Sequence, residues 1–195
     1  LVFDKPYPGG YTLAEQVSKS CLLLPTDQMG VRPDDLPVDT FAKFLDEGRA
    51  APSVAAYVWA TRALAAYRQN QFDQCIKFTE EAEKAGHSPL SSAIFLAARS
   101  MAHQQMDQGK EAQESFKELQ VAMDEIRSTA AYRRSHDSLV AFILYREARQ
   151  PLEPESDAIE FVQWADLTPV EDDQAVISRH QFRAKLAAIA NQADE

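Results

Sequence analysis

Four histidines are the side chains of this chain best suited to acid–base or metal chemistry near neutral pH. His103 and His136 fall inside predicted helices, and neither has a carboxylate at a metal-ligand spacing such as HExxH. His87 follows a predicted helix end, and His180 lies on the last predicted helix. We therefore expect structural roles for His103 and His136 and surface positions for the other two. A small enzyme that works through His103 or His136 is the alternative.

Two acidic clusters raise the question of calcium binding or paired-carboxylate catalysis. A calcium loop of the EF-hand type places oxygen ligands around a sharp glycine turn, and neither cluster contains a glycine. Each cluster instead precedes a predicted helix, where negative charge is favourable beside the N-terminal helix dipole. The sequence thus predicts solvated helix starts at both clusters, which are Glu153, Glu155 and Asp157, and Glu171, Asp172 and Asp173.

Cys21 and Cys75 are the two cysteines of the chain, and neither has a second Cys or a His at ligand spacing. A zinc site or a disulfide framework is therefore not indicated. The sequence also contains no Gly-x-Ser-x-Gly, phosphate loop or Cys-x-x-Cys motif. We predict no catalytic residue, no cofactor and no metal, and hence a protein that is not an enzyme.

The charge balance bears on the class of partner. The chain has 30 Asp and Glu against 20 Lys and Arg, a formal net charge of −10. Binding to nucleic-acid phosphate needs clustered cations, so no nucleic-acid partner is expected. No apolar run approaches the ~20 residues of a membrane-spanning helix, which predicts no membrane insertion. Leu1 in the first position indicates a processed or excised fragment; the compartment stays open, with the cytoplasm favoured.

The predicted secondary structure that positions the histidines, cysteines and acidic clusters is helical. Apolar residues recur at helical spacing, and no stretch alternates β-branched residues with period two, so the fold class is predicted to be all-α. Residues 1–11 contain two prolines and two glycines and are predicted to be a linker. Asn70 is expected in the left-handed conformation that ends many helices. Helices are predicted over 12–24, 39–47, 54–67, 72–85, 92–106, 110–126 and 131–149, followed by a short one after Ser156 and a last one over 174–192.

Part of the chain repeats itself at an offset of 37 residues without a gap. A period in this range is typical of stacked supersecondary units, none of which buries its apolar face alone. Such arrays form extended surfaces. The identical pairs are Ala56 with Ala93, Ala60 with Ala97, Arg62 with Arg99, Ala65 with Ala102, Gln71 with Gln108, Glu81 with Glu118, and Ala85 with Ala122.

The two copies resemble the tetratricopeptide repeat (TPR), a helix–turn–helix unit of ~34 residues. They depart from it in a period that is three residues longer, and in Arg62 and Arg99, which occupy a usually apolar position. The motif positions for small and packing residues are held by Trp59, Ala63, Cys75 and Ala82 in the first copy, and by Leu96, Ser100, Ala112, Phe116 and Leu119 in the second.

Three phrases are similar to segments of the TPR regions that follow Ser/Thr kinase domains in large bacterial signalling proteins. They are SKSCLLLP at 18–25, ALAAYRQNQFDQCI at 63–76 and LYREARQPL at 144–152. The resemblance implies a right-handed superhelix of antiparallel helix pairs over 12–152, with pairs at 12–48, 54–86 and 91–126 and a capping helix at 131–149. Residues 153–195 would form a helical C-terminal extension.

The resemblance also implies a concave groove. Mixed aromatic, thioether, amide and cationic side chains suit a bound peptide or helix. The groove residues would be Tyr57, Leu64, Tyr67, Arg68, Ile94, Met101, Gln104 and Gln105. We expect a non-enzymatic protein–protein interaction module of a larger bacterial protein, which binds a protein, a peptide or another segment of its parent chain. The alternatives are a structural spacer, in which a neighbouring helix such as 174–192 fills the groove, and the small enzyme.

Overall fold

The computed structural model describes residues 17–24, 36–38, 43, 52–86, 88–133 and 135–153. All of them belong to one compact unit, Leu1–Pro154. The predicted linker 1–11 lies outside the described residues. So do most of the predicted helix 39–47 and all of the C-terminal extension beyond residue 153.

The described residues contain helices and no strand, so the prediction of an all-α protein is confirmed for them. None of these helices is long and apolar enough to cross a lipid bilayer. A helical turn covers residues 17–21. The longer elements are α1 Pro52–Arg68, α2 Phe72–Lys84, α3 Pro89–Gln105, α4 Gly109–Ser128, α5 Ala130–Arg133 and α6 His136–Arg149.

Consecutive helices pack as pairs, α1 with α2 and α3 with α4, and α3 also packs on α1, α2 and α6. Small side chains fill the core between the pairs, which lets the helix backbones approach closely. Larger apolar side chains pack around its edge. The buried members are Ala63, Ala66, Cys75, Ala98 and Ala102, and Tyr67, Phe72, Ile76 and Phe78 pack around them.

The offset of 37 residues is visible in the backbone as well as in the side chains. Asn70 and Asp107, which are 37 positions apart, both have positive φ, 59° and 58°. Two hydrogen bonds close each turn in the pattern known as the Schellman motif. They are Gln71 N–H to Ala66 O at 2.9 Å and Asn70 N–H to Tyr67 O at 2.9 Å, and Gln108 N–H to His103 O at 2.9 Å and Asp107 N–H to Gln104 O at 3.1 Å. The predicted left-handed conformation of Asn70 is confirmed.

Helix α3 begins earlier than predicted. The sequence predicts a start at Ser92, with Pro89 in the connection that follows the previous helix. The structure starts α3 at Pro89, with Ser88 as the N-cap. Ser88 Oγ accepts from the N–H of Ser91 at 3.2 Å, and Ser91 Oγ accepts from the N–H of Ser88 at 3.0 Å. Proline is favoured in the first helical turn, because an N–H group at that position would have no acceptor within the helix.

The helix predicted over 131–149 is two helices, α5 and α6. Ser135 has extended backbone and caps α6 by accepting from the N–H of Asp137 at 3.1 Å. The apolar spacing continues across this break, so periodicity alone does not reveal it.

Candidate functional site at the α1–α3 face

The structure buries four of the eight predicted groove residues, of which three are apolar and the fourth is Arg68. Leu64, Ile94 and Met101 are at most 1% exposed. These three side chains belong to the core and do not line a surface that is open to solvent. Their burial follows from the neighbours of α1 and α3, because α6 packs on α3 and residues 17–24 contact α1. The predicted alternative occupant, 174–192, lies outside the described residues.

Arg68 joins three parts of the chain. Its side chain is 5% exposed, and its guanidinium donates to both carboxylate oxygens of Glu147 on α6, at 2.5 and 2.6 Å. Its Nε donates to the carbonyl of Leu22 at 2.8 Å, where the helical turn 17–21 has just ended. The planar guanidinium suits this forked arrangement. Arg68 was predicted to face a partner, and in the structure it binds its own chain.

Lys19 is a buried cation on the segment 17–24, which we call the N-terminal segment. Its side chain is 1% exposed and pairs with the carboxylate of Asp137 at the start of α6. Its ammonium also lies 5.1 Å from the ring centroid of Tyr57 on α1. Burial alone would raise the pKa of Asp137. The neighbouring His136 imidazole and Lys19 ammonium together have the larger, opposite effect, so the pKa of Asp137 lies below its ordinary value. The N-terminal segment is thus held to both α1 and α6.

The remaining groove residues are divided between internal contacts and the surface. Gln104 donates to the carbonyl of Ala148 on α6 at 2.9 Å. Tyr57 is half-buried, and its hydroxyl lies 3.0 Å from Ser88 Oγ. Tyr67 is half-buried against Phe72, with ring centroids 6.0 Å apart, and Gln105 is exposed. The rim of the α1–α3 face therefore stays accessible although its centre is covered.

Arg62 and Arg99 show why a cation can hold a usually apolar repeat position. The Arg62 guanidinium lies over the rings of Trp59 and Phe78, 4.8 and 4.5 Å from their centroids. Arg99 instead donates to Thr79 Oγ1 at 3.0 Å and to Glu83 at 2.8 Å, both on α2. Each arginine stem covers apolar surface while its charged head is paired or stacked.

An open cleft of about 360 Å³ lies between α2 and α4. Arg99, His103, Ile76 and Ser115 line it together with five glutamates, Glu80, Glu83, Glu111, Glu114 and Glu118. Sequence reasoning missed this cleft. The helical spacing of the three glutamates on α4 was visible, but their proximity to those on α2 depends on how the pairs stack.

The two predicted alternative histidine sites have different surroundings. His103 Nδ1 lies 2.6 Å from Gln108 Oε1 within the second turn of the repeat, which is a structural contact. His136 lies between a hydroxyl and a carboxylate, with Nε2 3.3 Å from Ser20 Oγ and Nδ1 3.6 Å from Asp137 Oδ1. This order of groups is that of a Ser–His–Asp triad, although 3.6 Å is longer than a hydrogen bond.

The cysteines and the possible metal ligands have no reactive arrangement within the described part of the chain. Burial raises the pKa of Cys75 to about 12, and its thiol lies 3.6 Å from the carbonyl of Ala98. Burial also raises the pKa of Cys21. Among the described residues, no group of three or more His, Cys, Asp or Glu side chains is placed to hold a metal ion.

Comparison with known proteins adds no relative. No protein-family model matches this chain, and no curated protein or solved structure matches it either. Its function is therefore inferred from its own residues and contacts.

Proposed function

We propose that this chain is a non-enzymatic, TPR-like protein-interaction module of a larger bacterial signalling protein, which holds a peptide or helix on its α1–α3 face. The observation that supports this most directly is the use of main-chain carbonyls as acceptors on that face. Arg68 donates to the carbonyl of Leu22 and Gln104 to that of Ala148, at 2.8 and 2.9 Å. Side chains that bind backbone groups can hold a helix end or a peptide of varied sequence.

The repeated turn geometry supports the same proposal. Helix pairs that are joined by matching turns stack in register, and stacked pairs produce a continuous face that a single pair cannot offer. Here both turns have a left-handed residue at the same place, Asn70 and Asp107, and the same pattern of closing hydrogen bonds. Such a face is suited to binding.

A photo-crosslinking residue tests this function in the parent protein within its own cells. One copy is placed at Gln105, exposed at the end of α3, and the matched control at Val121, which is 70% exposed on α4. We expect a defined protein adduct from position 105 that position 121 does not give. Identical adducts from both positions, or none from position 105, would contradict the proposal.

A structural spacer is a second candidate, which the burial of Leu64, Ile94 and Met101 favours. A spacer keeps neighbouring domains apart and needs no accessible groove. For a spacer, crosslinking from Gln105 yields only products within the parent chain, because no separate protein occupies the rim of the face.

A hydrolytic enzyme is a third candidate, favoured by the contacts of His136 with Ser20 and Asp137. Catalysis of acyl transfer needs an activated nucleophile together with donors for the developing oxyanion. A fluorophosphonate probe tests it directly. Covalent labelling of Ser20 that is lost in His136→Ala, while helicity is retained, would support the enzyme over the interaction module.

A further inference from the structure

We propose that the surface formed by α1 and α6 is a binding site for a short helix, which the N-terminal segment fills in cis and from which a partner helix of the same chemistry displaces it. The matching chemistry is a Lys or Arg followed three residues later by Leu, close to the C-terminal end of the helix. This inference rests on the proposed function and names the kind of partner that its face would take.

The first recognition element is a cation seat. Lys19 reaches between α1 and α6, where the carboxylate of Asp137 neutralises it and the ring of Tyr57 lies 5.1 Å from its ammonium. A carboxylate and an aromatic face together favour a cationic side chain over a neutral one. A helix without a Lys or Arg at this position would leave Asp137, whose side chain is 23% exposed, without the ion pair that Lys19 provides.

The second element is a helix end held by Arg68. Three residues after Lys19, Leu22 is fully buried, and its carbonyl accepts from Arg68 Nε at 2.8 Å. The carbonyl of Leu23 lies 3.4 Å from Nη2 of the same guanidinium. The last carbonyls of a helix lack partners within the helix, and a cation there is favourable. Arg68 therefore recognises where the bound helix ends, and Glu147 holds Arg68 in place.

The cis occupant does not satisfy this site completely. Ser18 Oγ is buried and has no hydrogen-bond partner among the described residues. Burial of an unsatisfied hydroxyl and of a cation both oppose the seating of the segment. A partner helix with a small apolar residue at the Ser18 position would avoid the first of these costs. The N-terminal segment is therefore open to competition.

A competition experiment on the full wild-type chain tests the proposal. The probe is a peptide with the sequence of residues 12–25 carrying Cys21→Ser, and the readout is alkylation of the protein's own half-buried Cys21. Displacement of the N-terminal segment exposes that thiol, so saturating peptide should raise its alkylation rate by roughly tenfold. Cys75 is fully buried and should stay unmodified, which shows that the core remains folded.

A matched control peptide also carries Lys19→Glu, which reverses the charge that Asp137 attracts. We expect no increase in Cys21 alkylation with this peptide. The full-chain variant Asp137→Lys should show fast Cys21 alkylation without any peptide, because the new lysine repels the protein's own Lys19. The proposal would be overturned if a saturating concentration of the peptide that keeps Lys19 left the alkylation rate of wild-type Cys21 unchanged. Equal increases with the two peptides would also overturn it.

The outcomes separate this inference from the proposed function. A partner crosslinked through Gln105 without any peptide displacement of the N-terminal segment would leave the interaction module standing and remove the competition. Displacement without a crosslinked partner would establish the helix site and remove the proposed module.

Discussion

At the scale of single residues, burial decides what the ionisable groups of this protein can do. Cys75 lies in the core between α2 and α3, and burial raises its pKa to about 12. Arg99 is the nearby charge that opposes this rise, and it is the smaller effect. Thiol reactivity depends on the thiolate, so Cys75 is chemically inert in the folded protein although it is a free cysteine.

The first prediction is that Cys75 resists alkylation in the native protein at pH 8. With a pKa of about 12, only roughly one thiol in ten thousand is ionised at that pH, and the side chain is also inaccessible. Mass spectrometry of iodoacetamide-treated Cys21→Ser protein measures this site alone. The same variant in denaturant is the control, and equal alkylation rates in the two states would contradict the prediction.

The second prediction concerns the pH dependence of the Asp137 contribution to stability. The folded-state pKa of Asp137 is lowered, so its stabilising contribution is present above the unfolded-state pKa of about 3.9 and is lost as pH falls through the folded-state value. We expect Asp137→Asn to cost roughly 2 kcal/mol at pH 7 because it removes the carboxylate that pairs with the buried Lys19.

Urea denaturation of wild type and Asp137→Asn at pH 7, 5 and 3 provides the measurement. The difference in unfolding free energy should be smaller at pH 3 than at pH 5, because protonation of Asp137 removes its contribution. A difference that grows between pH 5 and pH 3 would contradict the assigned sign.

At the scale of elements, the two turns of the repeat show how local chemistry sets the register of the helix pairs. Asn70 and Asp107 are the described non-glycine residues with positive φ. Such a conformation costs an ordinary L-residue roughly 1–2 kcal/mol, and asparagine, aspartate and glycine tolerate it best. Both turns end in a glutamine N-cap with nearly the same backbone angles, φ −92° at Gln71 and φ −94° at Gln108. The same backbone conformation and the same pattern of hydrogen bonds therefore join the two helices of each pair.

The third prediction is that Asn70→Gly and Asp107→Gly stabilise the protein by similar amounts. Glycine removes the left-handed penalty but adds freedom to the unfolded chain, which leaves a net gain of about 0.5 kcal/mol at each position. Asp107→Val should instead lose about 1 kcal/mol, because a β-branched residue is poorly accommodated at positive φ.

Thermal and urea denaturation measure these differences, and Lys117→Gly at an exposed position inside α4 is the matched control. That change should destabilise by about 1 kcal/mol, since glycine within a helix has no conformational advantage. If Asn70→Gly and Lys117→Gly had the same effect, the turn would not depend on its left-handed residue.

At the scale of the whole molecule, Arg68 connects parts of the chain that are far apart in sequence. Its pairing with Glu147 spans 79 positions, and its bond to Leu22 spans 46. The Arg68 side chain is 5% exposed and that of Glu147 is 30% exposed, so this ion pair is more sheltered than a surface pair. Loss of one partner leaves the other charge poorly solvated.

The fourth prediction is a coupling of roughly 2 kcal/mol between Arg68 and Glu147 in a double-mutant cycle with Arg68→Met and Glu147→Gln. Urea denaturation of the four proteins gives the coupling free energy. The exposed pair Lys110 and Glu114, 3.7 Å apart on α4, is the control and should show a much smaller coupling. Equal coupling free energies in the two cycles would contradict the prediction, because the Arg68–Glu147 pair would then stabilise the packing of α1 and α6 no more than an exposed pair does.

The sequence by itself determined the helices and the repeat, because both follow from local chemistry. Apolar spacing set the all-α class, and Asn70 was identifiable as a left-handed turn from its type and its place at a helix end. The same local reasoning placed Pro89 in the connection before α3. In the structure Ser88 is the N-cap and Pro89 is the first residue of α3.

Only the tertiary structure decided what lies on the α1–α3 face. The groove residues were predicted from helical positions, which show that side chains share a face but not what covers it. The contacts of Arg68 with Leu22 and Glu147 and of Lys19 with Asp137 span 46, 79 and 118 positions. No local sequence pattern predicts such pairings, because the partners come together only in the folded chain. There each buried charge needs an opposite charge or a polar group beside it.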